Sequence, residues 1–123
     1  MKRLIAMVVV VILMVCFSLP VYADKWTKED MAWQGAALLA IGVDWLQTKE
    51  IARNDEYTET NPILGDYPSQ NDVDLYFLGC GIVHTAISYY LPKKYRRYWQ
   101  CVWVGIEVGH ISHNINAGVR INF

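Results

Sequence analysis

Three stretches of the chain, 31 to 48, 75 to 92 and 98 to 119, are almost free of charged side chains, with only Asp44 and Glu107 interrupting them. At about 100° per residue, the helical period sorts each stretch into a polar stripe and a wide apolar remainder. The first stripe holds Trp33, Ala37, Ala40, Asp44, Gln47 and Thr48. The second holds Asp74, Gly81, His84, Thr85 and Ser88, and the third Gln100, Trp103, Glu107, His110 and Asn114. A helix bathed in water carries a charged outer face. Here the polar side is the narrow one, which is the pattern of a bundle with a polar interior and lipid outside.

Capping signals set the boundaries. Thr27 followed three residues later by Asp30, and Ser69 followed by Asp72, are capping boxes that open helices over 28 to 53 and 70 to 91. Pro92 suits the first turn of a third helix over 93 to 116, so the last two helices form a tight hairpin. A long loop, Asn54 to Gln70, joins the first two, with Asn61-Pro62, Gly65 and Pro68 as turn formers. The expected fold class is all-α: a small three-helix bundle after an N-terminal signal helix. Val119, Ile121 and Phe123 alternate like the last strand of an outer-membrane barrel, but a barrel needs about eight such strands. They read as a short extended tail packed on the bundle.

Composition narrows the setting. The chain has 123 residues, 54% hydrophobic and 19% charged, with a net charge of −1. That balance provides no field for a polyanion, so nucleic acid is not an expected partner. Lys2 and Arg3, the apolar run Leu4 to Phe17, then Pro20 and Val21-Tyr22-Ala23 form a secretory signal pattern. The chain divides into a signal over 1 to 23 and one helical domain over 24 to 123; retention of the first segment as an anchor is the other option. Val15 stands where acylation of Cys16 would need a small residue. The three uncharged stretches approach the roughly 20 residues that cross a bilayer. The expected location is therefore the inner membrane, although the acidic loop and the basic Lys93 to Arg97 run oppose the positive-inside rule. A periplasmic domain is the alternative.

Chemistry-bearing patterns are few. No Gly-Xaa-Ser-Xaa-Gly elbow, phosphate loop or Cys-x-x-Cys pair is present. Glu107 and His110 share one side of a helix at i, i+3, the spacing of carboxylate-bridged metal sites. Such sites take several further carboxylates, so no metal or cofactor is expected. The candidate catalytic set is Glu107 as base, His110 as its partner, Asp44 as orienting carboxylate, and His84. The competing reading joins Asp44, Gln47, His84, Glu107 and His110 in a structural hydrogen-bond network. Counting across the hairpin sets His84 level with Cys101 and Asp74 level with His110, while His113 lies off the stripe. Cys80 and Cys101 are either bonded or two buried thiols. Gly105 and Gly109 permit close helix approach, and the basic and aromatic run Lys93 to Trp103 reads as a membrane-interface anchor.

Asp44-Trp45-Leu46-Gln47-Thr48, then Glu59-Thr60-Asn61-Pro62-Ile63-Leu64-Gly65 with Pro68-Ser69, and the Gly118 to Phe123 ending resemble a group of small signal-bearing envelope proteins found in proteobacteria and their phages and prophages. The resemblance implies no assigned reaction. It implies a shared polar centre made of Asp44, Gln47, Thr48, Glu59, Asn61 and Pro62, to which the stripe on the third helix adds Asn114. The expected function is that of an envelope accessory or interaction protein without chemistry of its own, with membrane lipid and another envelope protein as partners. The rival is a small envelope hydrolase or metal-dependent enzyme built on the polar cluster.

Overall fold

The computed structural model describes residues 24 to 122 together with Val10 and Met14. The expected signal, residues 1 to 23, otherwise lies outside the described residues. Three helices follow one another: α1, Lys28–Arg53; α2, Gln70–Tyr90; and α3, Lys93–Asn116. Both capping boxes form. Thr27 and Ser69 accept the Asp30 and Asp72 amides, and the two aspartates accept the cap amides in return. Each cap contributes about 1 kcal/mol. Pro92 stands at the N-cap of α3, one place before its first turn.

The end of α3 is fixed by Gly118, whose φ of +85° suits a residue without Cβ. Its amide reaches Ile115 O at 3.0 Å, and the Val119 amide reaches Asn114 O at 3.0 Å, the paired bonds of a Schellman motif. Val119 is thereby turned under the bundle and buried, as expected of the tail. Among the described residues there is no strand.

α1 is the central element, packed along both α2 and α3, which meet each other far less. The interior is unusual in composition. Among the described residues, twelve polar or charged side chains are buried against six hydrophobic ones. The apolar core is small, with Ile41, Val73 and Phe77 at its centre and Trp45, Leu64, Tyr76 and Trp103 packed around it. Leu39 and Leu75, by contrast, are 73% and 72% exposed, and Ile82 is 67% exposed. Polarity is thus inverted, as the stripes predict. No helix among the described residues is long and apolar enough to cross a membrane, which corrects the expectation drawn from the length of the three uncharged stretches.

One end of the bundle is held by a buried ion pair. Arg96 has no exposed surface. Its Nη1 donates to Asp30 Oδ2 at 3.2 Å and its Nε to Ser88 O at 2.8 Å. Its Nη2 donates to Asp24 O and Leu91 O, both at 3.0 Å, while the guanidinium lies over the Trp26 ring. Arg97 adds bonds to Glu29 and to Asp30 Oδ1. The run Lys93 to Trp103, expected as an interface anchor, is therefore divided. Arg96 points inward, and Lys93, Lys94, Tyr95 and Tyr98 stay exposed.

Burial would raise the Asp30 carboxyl, but the Thr27 amide and hydroxyl, with Arg97 and Arg96, hold it at about 2. A depressed carboxylate contributes stability above its ordinary value of 3.8 that is lost as pH falls toward 2. Asp30→Ala leaves the guanidinium unmatched in the interior, and the expected loss is about 3 to 5 kcal/mol by chemical denaturation. A loss below about 1 kcal/mol, the scale of an exposed pair, contradicts this account.

Candidate functional site

The polar interior is organised as two clusters. Near the Arg96 end, Gln100 Nε2 donates to Asp30 O at 3.1 Å and to Gln34 Oε1 at 3.2 Å. That fixes the Gln34 amide so that its nitrogen meets Thr85 Oγ1 at 3.0 Å and His84 Nδ1 at 3.3 Å. The imidazole then carries its proton on Nε2, which has no partner. Its ring lies 5.5 Å from that of Trp99 and 5.3 Å from that of Trp103. Burial pushes His84 down to about 4, so the ring is neutral at physiological pH. It is a packed, hydrogen-bonded core histidine, and it stands apart from the other candidate catalytic residues.

The second cluster lies toward the loop. Asn114 Nδ2 donates to Asp44 Oδ1 at 3.0 Å and to Gln47 Oε1 at 3.2 Å, tying α3 to α1. The His110 Nδ1 lies 3.5 Å from Asp44 Oδ2. The Asp44 and Glu107 carboxyls are near enough that the charge of one raises the proton affinity of the other. Asp44, Glu107 and His110 therefore come together as the sequence suggests. Glu107 is buried, whereas the His110 side chain is 53% exposed and sits at the rim.

The loop completes the cluster. Asn61 bends the chain through an Asx turn, its Oδ1 accepting the Ile63 amide at 2.9 Å, and Gly65 closes the turn at φ +79°. Glu59 is brought back over α1, its Oε1 accepting the Asn61 amide at 2.8 Å and its backbone amide donating to Asp66 O at 2.9 Å. A cavity of about 150 Å³ results, lined by Asp44, Glu59, Thr60, His110, His113 and Asn114. Thr48 is buried beside Gln47 on α1, and Asn61 is half-buried in the loop.

Several expectations need correction. Asp74 is turned to α1 rather than toward His110: it accepts from Trp45 Nε1 at 2.8 Å and pairs with Lys49 Nζ at 3.0 Å, while His110 meets the neighbouring Asp44, so the two stand near one level without facing each other. Thr85 is exposed, although its hydroxyl still faces α1 and accepts from Gln34 Nε2 at 3.0 Å. Cys80 and Cys101 are free and half-buried, which settles against a bond between them. Sequence reasoning missed Gln34 and Arg96 altogether. Among the described residues, no group of three His, Cys, Asp or Glu side chains could hold a metal ion.

Burial raises Asp44 despite the nearby His110. Burial and the Asp44 charge together push Glu107 up to about 7. A raised carboxyl stabilises the fold fully below its ordinary 4.5, and that contribution is lost as pH rises through 7. His84 acts in the opposite sense: its contribution is present above 6.5 and is lost as pH falls through 4. Because the two overlap, the readout is the stability of Glu107→Gln relative to the parent. That difference is expected to move by on the order of 2 kcal/mol in favour of the variant between about pH 5 and about pH 8. Parallel curves contradict a raised Glu107 carboxyl.

No family model, curated protein or solved structure matches the chain, so its functional reading rests on this geometry.

Proposed function

We propose that the chain is an exported accessory protein of the cell envelope, of the phage or prophage type its sequence resembles, whose helical bundle meets membrane lipid with its apolar exterior and acts through contact with another envelope component. The observation that carries this is the inverted polarity of the bundle. Water-soluble domains of this size bury hydrophobic side chains and leave charge outside. Here charge is concentrated at the two ends and in the loop, and the outer surface of every helix is studded with Leu, Ile, Val and Tyr.

The distribution of that surface favours lipid over a single protein partner. Leu39 on α1, Leu75 and Ile82 on α2, and Val102, Val108 and Ile115 on α3 are all exposed. An open apolar groove of about 730 Å³ between α1 and α2, lined in part by Leu38, Trp45, Leu78, Ile82 and Tyr89, has the shape and polarity to take an acyl chain. Exposed Lys93, Lys94, Tyr95 and Tyr98 lie at one end, where a membrane interface favours such residues. The proposal concerns which surface meets lipid and does not require any one helix to cross.

A second reading is favoured by one specific observation. Asp44 and Glu107, two carboxyls raised by burial beside His110 and a small cavity, are an arrangement suited to acid–base work, so a small envelope hydrolase is the rival. Glu107→Gln separates the two: an accessory protein keeps its cellular effect, and a hydrolase loses it.

The lipid-facing reading is tested by flotation of the full chain with phospholipid vesicles. Each of Leu39→Gln, Ile82→Gln and Val108→Gln is expected to weaken partitioning roughly tenfold without unfolding the bundle, since all three side chains are exposed. Unchanged partitioning in the triple variant contradicts it.

A further inference from the structure

The groove between α1 and α2 is apolar along its length and has ends of opposite charge. It follows α2 from Phe77 to Tyr90, about 20 Å at the helical rise, which is more than the roughly 15 Å depth of one leaflet. Its floor is open because Gly42 on α1 and Gly81 on α2 carry no side chain, and a Cβ added at Gly42 would meet nothing within 4 Å. The polar atoms of its walls are engaged elsewhere. Trp45 Nε1 donates to Asp74, and the Thr85 hydroxyl accepts from Gln34 and donates to the Gly81 carbonyl. Nothing inside calls for a polar occupant, so the groove suits a hydrocarbon chain.

The two ends decide which way round that chain lies. Tyr89 and Tyr90 close α2 at the Arg96 end of the bundle, where Lys25 and Lys28 at the start of α1 and Lys93 and Lys94 at the start of α3 are all exposed. Arg96 and Arg97 are matched there by Asp30 and Glu29. Among the described residues, no ion pair takes up any of the four lysines. Asp24, the remaining carboxylate of this end, accepts the Lys93 backbone amide. At the Trp45 end the balance is reversed: Lys49 is spent on Asp74, and the segment 49 to 74 carries seven acidic side chains against two basic ones. An anion is drawn to one mouth of the groove and repelled from the other.

We infer that the groove seats an acyl chain of an anionic phospholipid, with the phosphate beside Lys93 and Lys94 and the chain directed toward Trp45. The inference rests on the lipid-facing reading and adds to it a headgroup class and an orientation. Lysine is a compact charge with three donors on a flexible stem, which suits a phosphodiester held at a surface. Lys25 and Lys28 strengthen the field that draws it in. A zwitterionic headgroup brings its own cation and gains little from the same four charges.

The test uses the full chain in two arms. In the first, the purified protein is titrated calorimetrically with dihexanoyl phosphatidylglycerol and with dihexanoyl phosphatidylcholine, both kept monomeric, so that no bilayer is involved. The expected result is a saturable site that takes the anionic lipid about tenfold more tightly, a preference lost between about 0.1 M and about 1 M salt as screening shortens the reach of the lysines. Lys93→Gln with Lys94→Gln, both at exposed positions, removes the preference and leaves phosphatidylcholine binding in place. Gly42→Leu fills the open floor and weakens both lipids several-fold. Equal affinity for the two lipids overturns the inference, as does a preference that survives the paired lysine substitutions or binding that is unchanged in Gly42→Leu. In the second arm, flotation compares phosphatidylcholine vesicles with vesicles that also contain phosphatidylglycerol. Partitioning into neither contradicts the lipid-facing reading, whereas equal partitioning into both leaves that reading standing and overturns the inference. Binding of polyglutamate that the lysine substitutions abolish, with no site for either short-chain lipid, also overturns it and assigns the basic end to an acidic protein.

Discussion

A guanidinium with no access to water has to be matched on every side, and Arg96 is matched by groups from all parts of one end of the bundle. Its bonds reach the Asp30 carboxylate on α1, the carbonyls of Ser88 and Leu91 at the close of α2, and the Asp24 carbonyl ahead of α1. A point charge such as lysine could not serve four acceptors in a fixed fork. The ion pair therefore does more than bring two charges together. It sets where α1 begins, where α2 must stop and how the hairpin into α3 lies. From there the polar track continues through Gln100 and Gln34 to His84, each amide oriented by the one before it.

A bundle held this way has a different stability logic from an ordinary small domain. Its few buried hydrophobic residues give limited apolar burial, and hydrogen bonds between side chains carry the pairing of helices instead. Such bonds gain little net energy where water competes for the same groups, and leaving one unmade is costly. On the proposed reading, an apolar exterior in contact with lipid removes that competition from the outside while the stripes satisfy one another within. The unpartnered Nε2 of His84, enclosed by tryptophan rings, and Oε2 of Glu59 are among the exceptions.

Much of this was legible in the chain because the signals were local. The capping boxes at Thr27 and Ser69 placed both helix starts, and the periodicity of Asp44 with Gln47 and of Glu107 with Asn114 placed the loop-end cluster. The resemblance drew Glu59 and Asn61 to the same end, where the Asn61 turn indeed carries Glu59. What was not legible depends on tertiary contacts. Arg96 lies among four basic residues, and nothing local tells an inward arginine from a solvated one. Gln34 sits next to Trp33, which looked like the better interior residue. Asp74 reads as part of the inward stripe of α2, but its partners Trp45 and Lys49 stand on α1, which a count across the hairpin does not include.

The central claim is that the faces pointing away from this polar interior meet hydrocarbon. Spin labels at Leu39, Leu75, Ile82, Val102 and Val108 in the lipid-reconstituted protein, compared with labels at the charged positions Asp55 and Asp66, test it most directly by power saturation. The account predicts that labels on the three helices are relaxed by oxygen and protected from a water-soluble nickel chelate, with Asp55 and Asp66 showing the reverse. Free access of the chelate to labels on all three helices would contradict it.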